Sequence, residues 1–193
     1  MLRRQRGDTI VEVAVAFAIF GMLIVVVSIM MSRGMSVAQE SLETTLVSEQ
    51  LDNQSEMLTF VRDTDPSLWS DIKSSANSNP PITVSQIMSS DCDNPPSGSF
   101  FLTTEAVGGK EVIKKKQAAS PDYSKPFTYS QVESGRSQGI WVEVRRAEGS
   151  SDVGMTDKVD AYDMYIRSCW YPPGAEDKPK TVGTVVRLYD NHR

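Results

Sequence analysis

The sequence predicts an α+β fold in which a long N-terminal helix packs on a C-terminal antiparallel β-sheet. Two observations carry this prediction. Residues 10–61 place apolar side chains continuously or at helical spacing, and three segments within residues 139–190 alternate apolar with polar side chains. The length of 193 residues suits one domain, or one domain with an appendage. With 39% hydrophobic and 23% charged residues, the composition argues against long disorder and against several membrane spans.

The first element is an apolar run over residues 10–31, in which Glu12 is the single charged residue. As a helix these 22 residues extend about 33 Å, enough to cross the hydrocarbon core of a bilayer once. Arg3, Arg4 and Arg6 precede the run, so the positive-inside rule places the N-terminus in the cytoplasm and the body outside. The run is too long for an ordinary cleaved secretory signal.

Glu12 lies about one helical turn inside this apolar run. A carboxylate near lipid costs roughly 3 kcal/mol or more unless it is paired or neutralised, so an acid at this depth suggests a function. The alternative is that Glu12 lies close enough to the interface to reach the headgroups. Spacing alone leaves both interpretations open.

The string from Arg6 to Glu12 resembles the class III signal of type IV prepilins and pseudopilins. That signal is a short basic leader ending in Gly, followed by an apolar helix with Glu at its fifth position; here the leader ends in Gly7, and Glu12 is fifth when counted from Asp8. The resemblance covers about residues 1–35. Two features depart from it: Asp8 stands where the family usually has Phe, and residues 23–32 lack the Pro that often interrupts pilin helices.

The resemblance implies that a prepilin peptidase removes residues 1–7 by cutting after Gly7, and that the new amine of Asp8 is methylated. It implies storage in the cytoplasmic membrane as a single-pass protein with its N-terminus inside, followed by extraction into an extracellular filament. In the filament, Glu12 would pair with the N-terminal amine of a neighbouring subunit. The implied partners are other pilin subunits through the N-terminal helix, the peptidase, the assembly platform of the filament machine and the lipid bilayer.

The helix divides into a membrane half, residues 8–32, and an amphipathic half, residues 33–62. Polar residues of the second half, Glu43 among them, are expected to face solvent between the apolar positions. The apolar positions are Met35, Ala38, Leu42, Leu46, Val47, Leu51, Leu58 and Val61. Such a helix would span the bilayer and then lie against a soluble domain.

Residues 63–193 form the predicted extracytoplasmic globular part, with connecting loop over 63–99 and an antiparallel sheet over about 99–190. Within the loop, Asp65-Pro66 marks the capped start of a short helix through Trp69 and Ile72. The predicted strands are residues 139–146, 160–171 and 181–190, with a shorter candidate at 99–104. Their connections favour an antiparallel meander, a layout that also resembles pilin and pseudopilin architecture.

The chain has two cysteines, Cys92 and Cys169, and no CxxC motif. An even pair in an exported chain predicts one disulfide, which would tie the long loop to the sheet. The alternative is two separate buried thiols.

Two further clusters each have two interpretations. A basic cluster is most simply a solvated loop, with DNA uptake or surface adhesion as the alternative; it comprises Lys110, Lys114, Lys115 and Lys116. An aromatic cluster is most simply sheet packing, with an exposed adhesive patch as the alternative; it comprises Trp141, Tyr165, Trp170 and Tyr171.

The formal net charge of -5 argues against nucleic acid as the main partner. The single histidine, His192, lies one residue from the end, so a histidine-based triad or metal site is not expected. The sequence contains no recognisable nucleophile, phosphate-loop or paired-carboxylate motif. We therefore expect no catalytic residue, no metal site, no cofactor and no enzymatic activity.

The function expected from these features is structural: a pilin, minor pilin or pseudopilin of a type IV pilus-like filament, serving a pilus, secretion or competence machine. The alternative is a membrane-anchored extracytoplasmic binding or adhesion domain that does not polymerise. The alternative predicts that the leader is retained and that Glu12 is dispensable.

Overall fold

The computed structural model describes residues 8–76, 92, 94–118, 123, 139–147, 160–171 and 179–190. The elements in these ranges are α1 (Asp8–Thr64), α2 (Pro66–Ser74), β1 (Phe100–Val107), β2 (Lys110–Gln117), β3 (Ile140–Arg146), β4 (Asp160–Trp170) and β5 (Lys180–Asp190). The chain divides into two compact units, Met1–Leu42 and Glu43–Arg193. The predicted α+β class is confirmed, with a long N-terminal helix and an antiparallel sheet.

The described part of the first unit is the N-terminal portion of α1. Every residue from 10 to 42 is exposed in the isolated chain. The helix continues through Gly21 and Gly34 without interruption, and a Cβ added at either position would meet nothing within 4 Å. Neither glycine therefore marks a break or an internal close contact.

The second unit contains one five-stranded sheet with the order β2-β1-β3-β4-β5. The last three strands form the predicted antiparallel meander, in which Val142 is paired with Ile166 and Ile166 with Thr184. Strands β1 and β3 are neighbours, but they pair only at Phe100 and Val142. The sheet therefore separates on one side of this pair, and the backbone of β1 beyond Phe100 needs another partner there.

The interpretation of the lysine cluster as a loop was wrong, because these residues form the edge strand β2. Strands β1 and β2 pair along their full length, from Phe100 with Gln117 to Val107 with Lys110. Gly108 and Gly109 connect them with φ angles of 60° and 80°. Positive φ at both central residues is the requirement of a type I′ hairpin turn, which glycine meets without strain.

The C-terminal portion of α1 covers one face of the sheet, called here the inner face. Its buried side chains follow one another at intervals of three or four residues: Glu43, Val47, Leu51, Gln54, Leu58 and Val61. The predicted stripe is corrected at its start, because Leu42 is exposed and Glu43 is buried. From the sheet, Phe100, Val142 and Ile166 complete the same hydrophobic core.

The predicted short helix is present as α2, and Asp65 is its N-cap. The Asp65 carboxylate accepts hydrogen bonds from the backbone N–H groups of Ser67 and Leu68 at 3.1 and 3.0 Å. Trp69 and Ile72 are buried in the core, as their spacing predicts. The Asp65 cap therefore sets the start of a helix that adds two large side chains to the inner face.

The opposite face, called the outer face, carries a second, smaller core. Cys92 and Cys169 form the predicted disulfide there, with their Cα atoms 5.5 Å apart. Trp141 and Ala118 are buried beside the disulfide, and the Tyr123 hydroxyl donates a hydrogen bond of 3.0 Å to the Cys92 carbonyl. The packing interpretation of the aromatic cluster is confirmed for Trp141 and Trp170, which are both buried.

Candidate functional site

The candidate site is the apolar portion of α1 that begins at Ile10. Between Ile10 and Met31 its large apolar side chains are 47–74% exposed in the isolated chain. By length and composition, α1 is able to cross a membrane. Soluble proteins rarely leave so large an apolar surface in water, so this segment needs lipid or other apolar helices around it.

Two serine hydroxyls of this portion of α1 are satisfied within the helix itself. The Ser28 hydroxyl donates to the carbonyl of Ile24 at 2.8 Å, and the Ser36 hydroxyl donates to that of Ser32 at 3.2 Å. Such internal bonds let a hydroxyl sit in an apolar environment without a partner from another helix. The helix thus remains compatible with lipid at these two positions.

Glu12 differs from these serines. Its side chain is exposed, and no described residue gives it a hydrogen bond or an ion pair. Glu12 therefore places a carboxylate in an apolar segment, where an unpaired charge is costly.

Two of the three residues implied by the leader motif lie on this helix. Asp8 is the first residue of α1 and Glu12 follows four residues later. A spacing of four brings both positions to the same face, about 6 Å apart along the axis. Gly7, the predicted cleavage position, lies outside the described residues. The described helix therefore contains Asp8 and Glu12 but not the predicted cleavage position.

Sequence reasoning missed a buried carboxylate where the second unit begins. Glu43 is 3% exposed, and its Oε2 accepts a hydrogen bond of 3.1 Å from the Trp170 indole N–H. Its Oε1 is buried and has no hydrogen-bond partner among the described residues. The available signal was spacing, because Glu43 lies four residues before Val47 on the buried stripe.

A second missed residue is Gln54, which is buried between α1 and β1. Its Nε2 donates to the carbonyl of Leu102 at 2.8 Å, and the Leu102 N–H donates to its Oε1 at 3.0 Å. Both bonds lie where β1 has separated from β3. The Gln54 amide therefore takes the place of a neighbouring strand.

The charged groups of the sheet are mostly paired across strands. The Arg187 guanidinium binds the Asp163 carboxylate at 2.6 and 2.9 Å, and this pairing raises the pKa of Arg187 above its ordinary value. At the α2 N-terminus, the backbone N–H of Leu68 and the Ser67 hydroxyl lower the pKa of Asp65 below its ordinary value. These groups stay charged at neutral pH and stabilise the scaffold.

Within the described ranges, no group of three or more His, Cys, Asp or Glu side chains is arranged to hold a metal ion. The features that distinguish this molecule are thus the apolar helix with Glu12 and the second unit that begins at Glu43. Comparisons with protein-family models, with curated proteins and with solved structures find no match to this chain.

Proposed function

We propose that this chain is a structural subunit of a type IV pilus-like filament, stored in the cytoplasmic membrane and polymerised through its N-terminal helix. The observation that carries the proposal is Glu12, a carboxylate with no partner among the described residues, on a helix segment whose apolar side chains are exposed. The function is structural rather than catalytic. The globular second unit lies outside the cytoplasm and is carried along by the helix.

Glu12 supports polymerisation because two costly charges neutralise each other when helices assemble. Cleavage after Gly7 would create an ammonium group on Asp8, and this group needs an anion in an apolar bundle. An apolar bundle of identical helices supplies one such amine and one Glu12 carboxylate for each subunit. Pairing them between neighbours removes both penalties and fixes the axial offset between subunits.

The leader and the helix also supply the expected topology. Arg3, Arg4 and Arg6 hold the N-terminus on the cytoplasmic side, where a prepilin peptidase acts. The disulfide between Cys92 and Cys169 agrees with an oxidising compartment for the globular unit. The basic leader and the disulfide thus both favour a subunit whose helix lies in the membrane and whose globular unit leaves the cytoplasm.

The first test is the intact mass and N-terminal sequence of the protein recovered from its native membrane. We expect an N-terminus at Asp8, with one added methyl group on the amine. Retention of Arg3, Arg4 and Arg6 would contradict processing and would favour a static membrane-anchored binding or adhesion domain. Replacing Gly7 with a bulky residue should leave the leader attached.

The second test compares Glu12→Ala with Ser28→Ala in sheared filament fractions. Glu12→Ala should insert in the membrane and be processed, but it should be absent from filaments, because the neighbouring amine loses its anion. Ser28→Ala is the matched control, since the Ser28 hydroxyl is bonded within its own helix. Wild-type amounts of Glu12→Ala in filaments would refute the assembly role.

A further inference from the structure

The outer face of the β1–β2 hairpin presents a basic and apolar surface, called here the hairpin patch. It consists of Val107, Lys110, Val112 and Lys114. Val107 and Lys110 are cross-strand partners and share a face, and every second residue of β2 after Lys110 lies on that same face. Val107 is 54% exposed and Val112 is 36% exposed. Val112 thus lies in solvent between the two lysines of β2, and Val107 lies in solvent opposite Lys110.

The lysines of the hairpin patch differ from their neighbours on the same strand. Lys115 bonds to Asp71 at 3.0 Å, and Lys116 forms an ion pair with Glu105 at 2.7 Å. Lys110 and Lys114 form no ion pair with a described carboxylate, although Lys114 is near enough to Asp65 to contribute to its lowered pKa. Two cationic groups of the patch therefore remain available to an outside anion.

The exposed face of α1 in the same unit has the opposite charge. Glu49, Asp52 and Glu56 form an acidic stripe with Phe60, which is 57% exposed. With about 100° of rotation for each residue, these four positions fall within about 80° of one another. No described residue forms an ion pair with the three carboxylates. The stripe therefore combines one apolar side chain with three carboxylates that have no ion-pair partner in the part of the chain that the structure describes.

The stripe and the hairpin patch lie on opposite sides of the sheet. The stripe lies on the side of α1 opposite its buried residues Val47 and Leu58, which contact the inner face of the sheet. The hairpin patch lies on the outer face of the same sheet. β2 is the edge strand, and Lys114 lies near Asp65 at the end of α1, but no hydrogen bond or ion pair among the described residues joins the patch to the stripe.

We propose that the hairpin patch of one copy binds the acidic stripe of a second copy. The charges are complementary, and Phe60 of one copy meets Val107 and Val112 of the other. The lengths are similar, because the 12 helical residues from Glu49 to Phe60 span 11 steps, or about 16 Å, and the five strand residues from Lys110 to Lys114 span four steps, or about 13 Å. The inference rests on the proposed function, because it names how the globular units of neighbouring filament subunits meet.

The contact joins two different surfaces and is therefore heterologous. Each copy offers one hairpin patch and one stripe, so a bound copy still has one free surface of each kind. Repetition of such a contact generates a ring when the rotation closes and an open helical array when it does not. An open array is the arrangement that a filament of one subunit type needs.

The test is zero-length crosslinking of the wild-type full chain with a carbodiimide, which joins carboxylates to lysine amines. Filaments and membranes are treated separately, and crosslinked peptides are identified in the dimer band of a denaturing gel. We expect peptides that join Glu49, Asp52 or Glu56 to Lys110 or Lys114. The intrachain pair Glu105 and Lys116, at 2.7 Å, is the internal control for the reagent.

Charge variants separate recognition from reactivity. Lys110→Arg with Lys114→Arg should lose the crosslink but keep filament yield, because arginine keeps the charge without a reactive amine. Lys110→Glu with Lys114→Glu should lose the crosslink, and its filament yield should fall at least tenfold. Adding Glu49→Lys and Glu56→Lys to that reversed patch should restore assembly, because the charges are complementary again.

The outcomes distinguish this contact from the proposed function. Filaments that form normally without the intermolecular peptide, while the internal control is crosslinked, overturn the contact and leave the proposed function standing. Lys110 or Lys114 crosslinked to a different protein also overturns it. If the wild-type chain forms no filaments, the proposed function fails. The contact between copies is then tested in membranes alone: the crosslinked dimer peptide there supports the contact, and its absence overturns the contact as well.

Discussion

Replacing Gln54 with alanine tests whether one side chain completes the sheet. In the wild-type protein the buried Gln54 amide makes two hydrogen bonds of 2.8 and 3.0 Å to the backbone of Leu102. No strand replaces it, because β1 pairs with β3 only at Phe100 and Val142. Gln54→Ala therefore leaves a buried N–H and a buried C=O without partners.

The expected loss follows from these two groups. Leaving one buried polar group unsatisfied costs about 1–3 kcal/mol, so two such groups cost about 2–6 kcal/mol if water does not enter. The cavity left by the shortened side chain adds to this loss, and a water molecule that replaces the amide subtracts from it. We take about 3 kcal/mol as the working value, which is a large fraction of the 5–15 kcal/mol typical of a domain.

Thermal unfolding of the full chain in detergent measures this loss. All three tryptophans, Trp69, Trp141 and Trp170, are buried in the second unit, so their fluorescence follows that unit. At about 2–4 °C for each kcal/mol, Gln54→Ala should lower the Tm by about 6–12 °C. Asn53→Ala is the matched control, because Asn53 is exposed beside Gln54 on the same helix. Equal Tm values for the two variants would refute the role given to Gln54.

Three further predictions use the same unfolding assay. Asp190→Ala should cost about 2–3 kcal/mol, because Lys73 loses the carboxylate that it binds at 2.5 Å in a mostly buried pair; an unchanged Tm would contradict this. Asp65 has a lowered pKa, so its contribution is present above its unfolded-state pKa and is lost as the pH falls through the folded value. Asp65→Asn keeps a capping side chain that does not titrate. The difference in Tm between wild type and Asp65→Asn should therefore narrow below about pH 4. Reduction of the Cys92–Cys169 disulfide, at a sequence separation of 77, should cost about 4.5 kcal/mol on the loop-entropy account, and a Tm unchanged by reductant would contradict it.

The elements with strong local patterns were predictable from the sequence. Strands β3, β4 and β5 alternate apolar and polar residues, and the start of α2 has its Asp-Pro signal. Strand β2 was missed, because four lysines in seven residues dominate its composition. Edge strands accept lysine, which discourages unwanted pairing along their free edge. The Gly108-Gly109 pair between β1 and β2 was the overlooked hairpin signal.

The polar residues of the core were not predictable in the same way. Glu43 and Gln54 lie on the buried stripe of α1, but their burial depends on partners far along the chain, Trp170 and Leu102. Local spacing places both residues on the buried stripe, but it does not show that the fold supplies a hydrogen-bond partner for each. The placement of the candidate site was predictable from local sequence, because Asp8 and Glu12 are four residues apart and a helix brings them to one face.

Apolar contact alone cannot set the register of identical helices. When one such helix slides by one turn, about 5.4 Å, one apolar contact is exchanged for a similar one. Under the proposed function, Glu12 breaks this degeneracy inside the bundle, and the hairpin patch breaks it between globular units. The two devices act on the same subunit offset at different distances from the filament axis. If both operate, the few filaments that Lys110→Glu with Lys114→Glu still forms should keep their order, and adding Glu12→Gln should remove them.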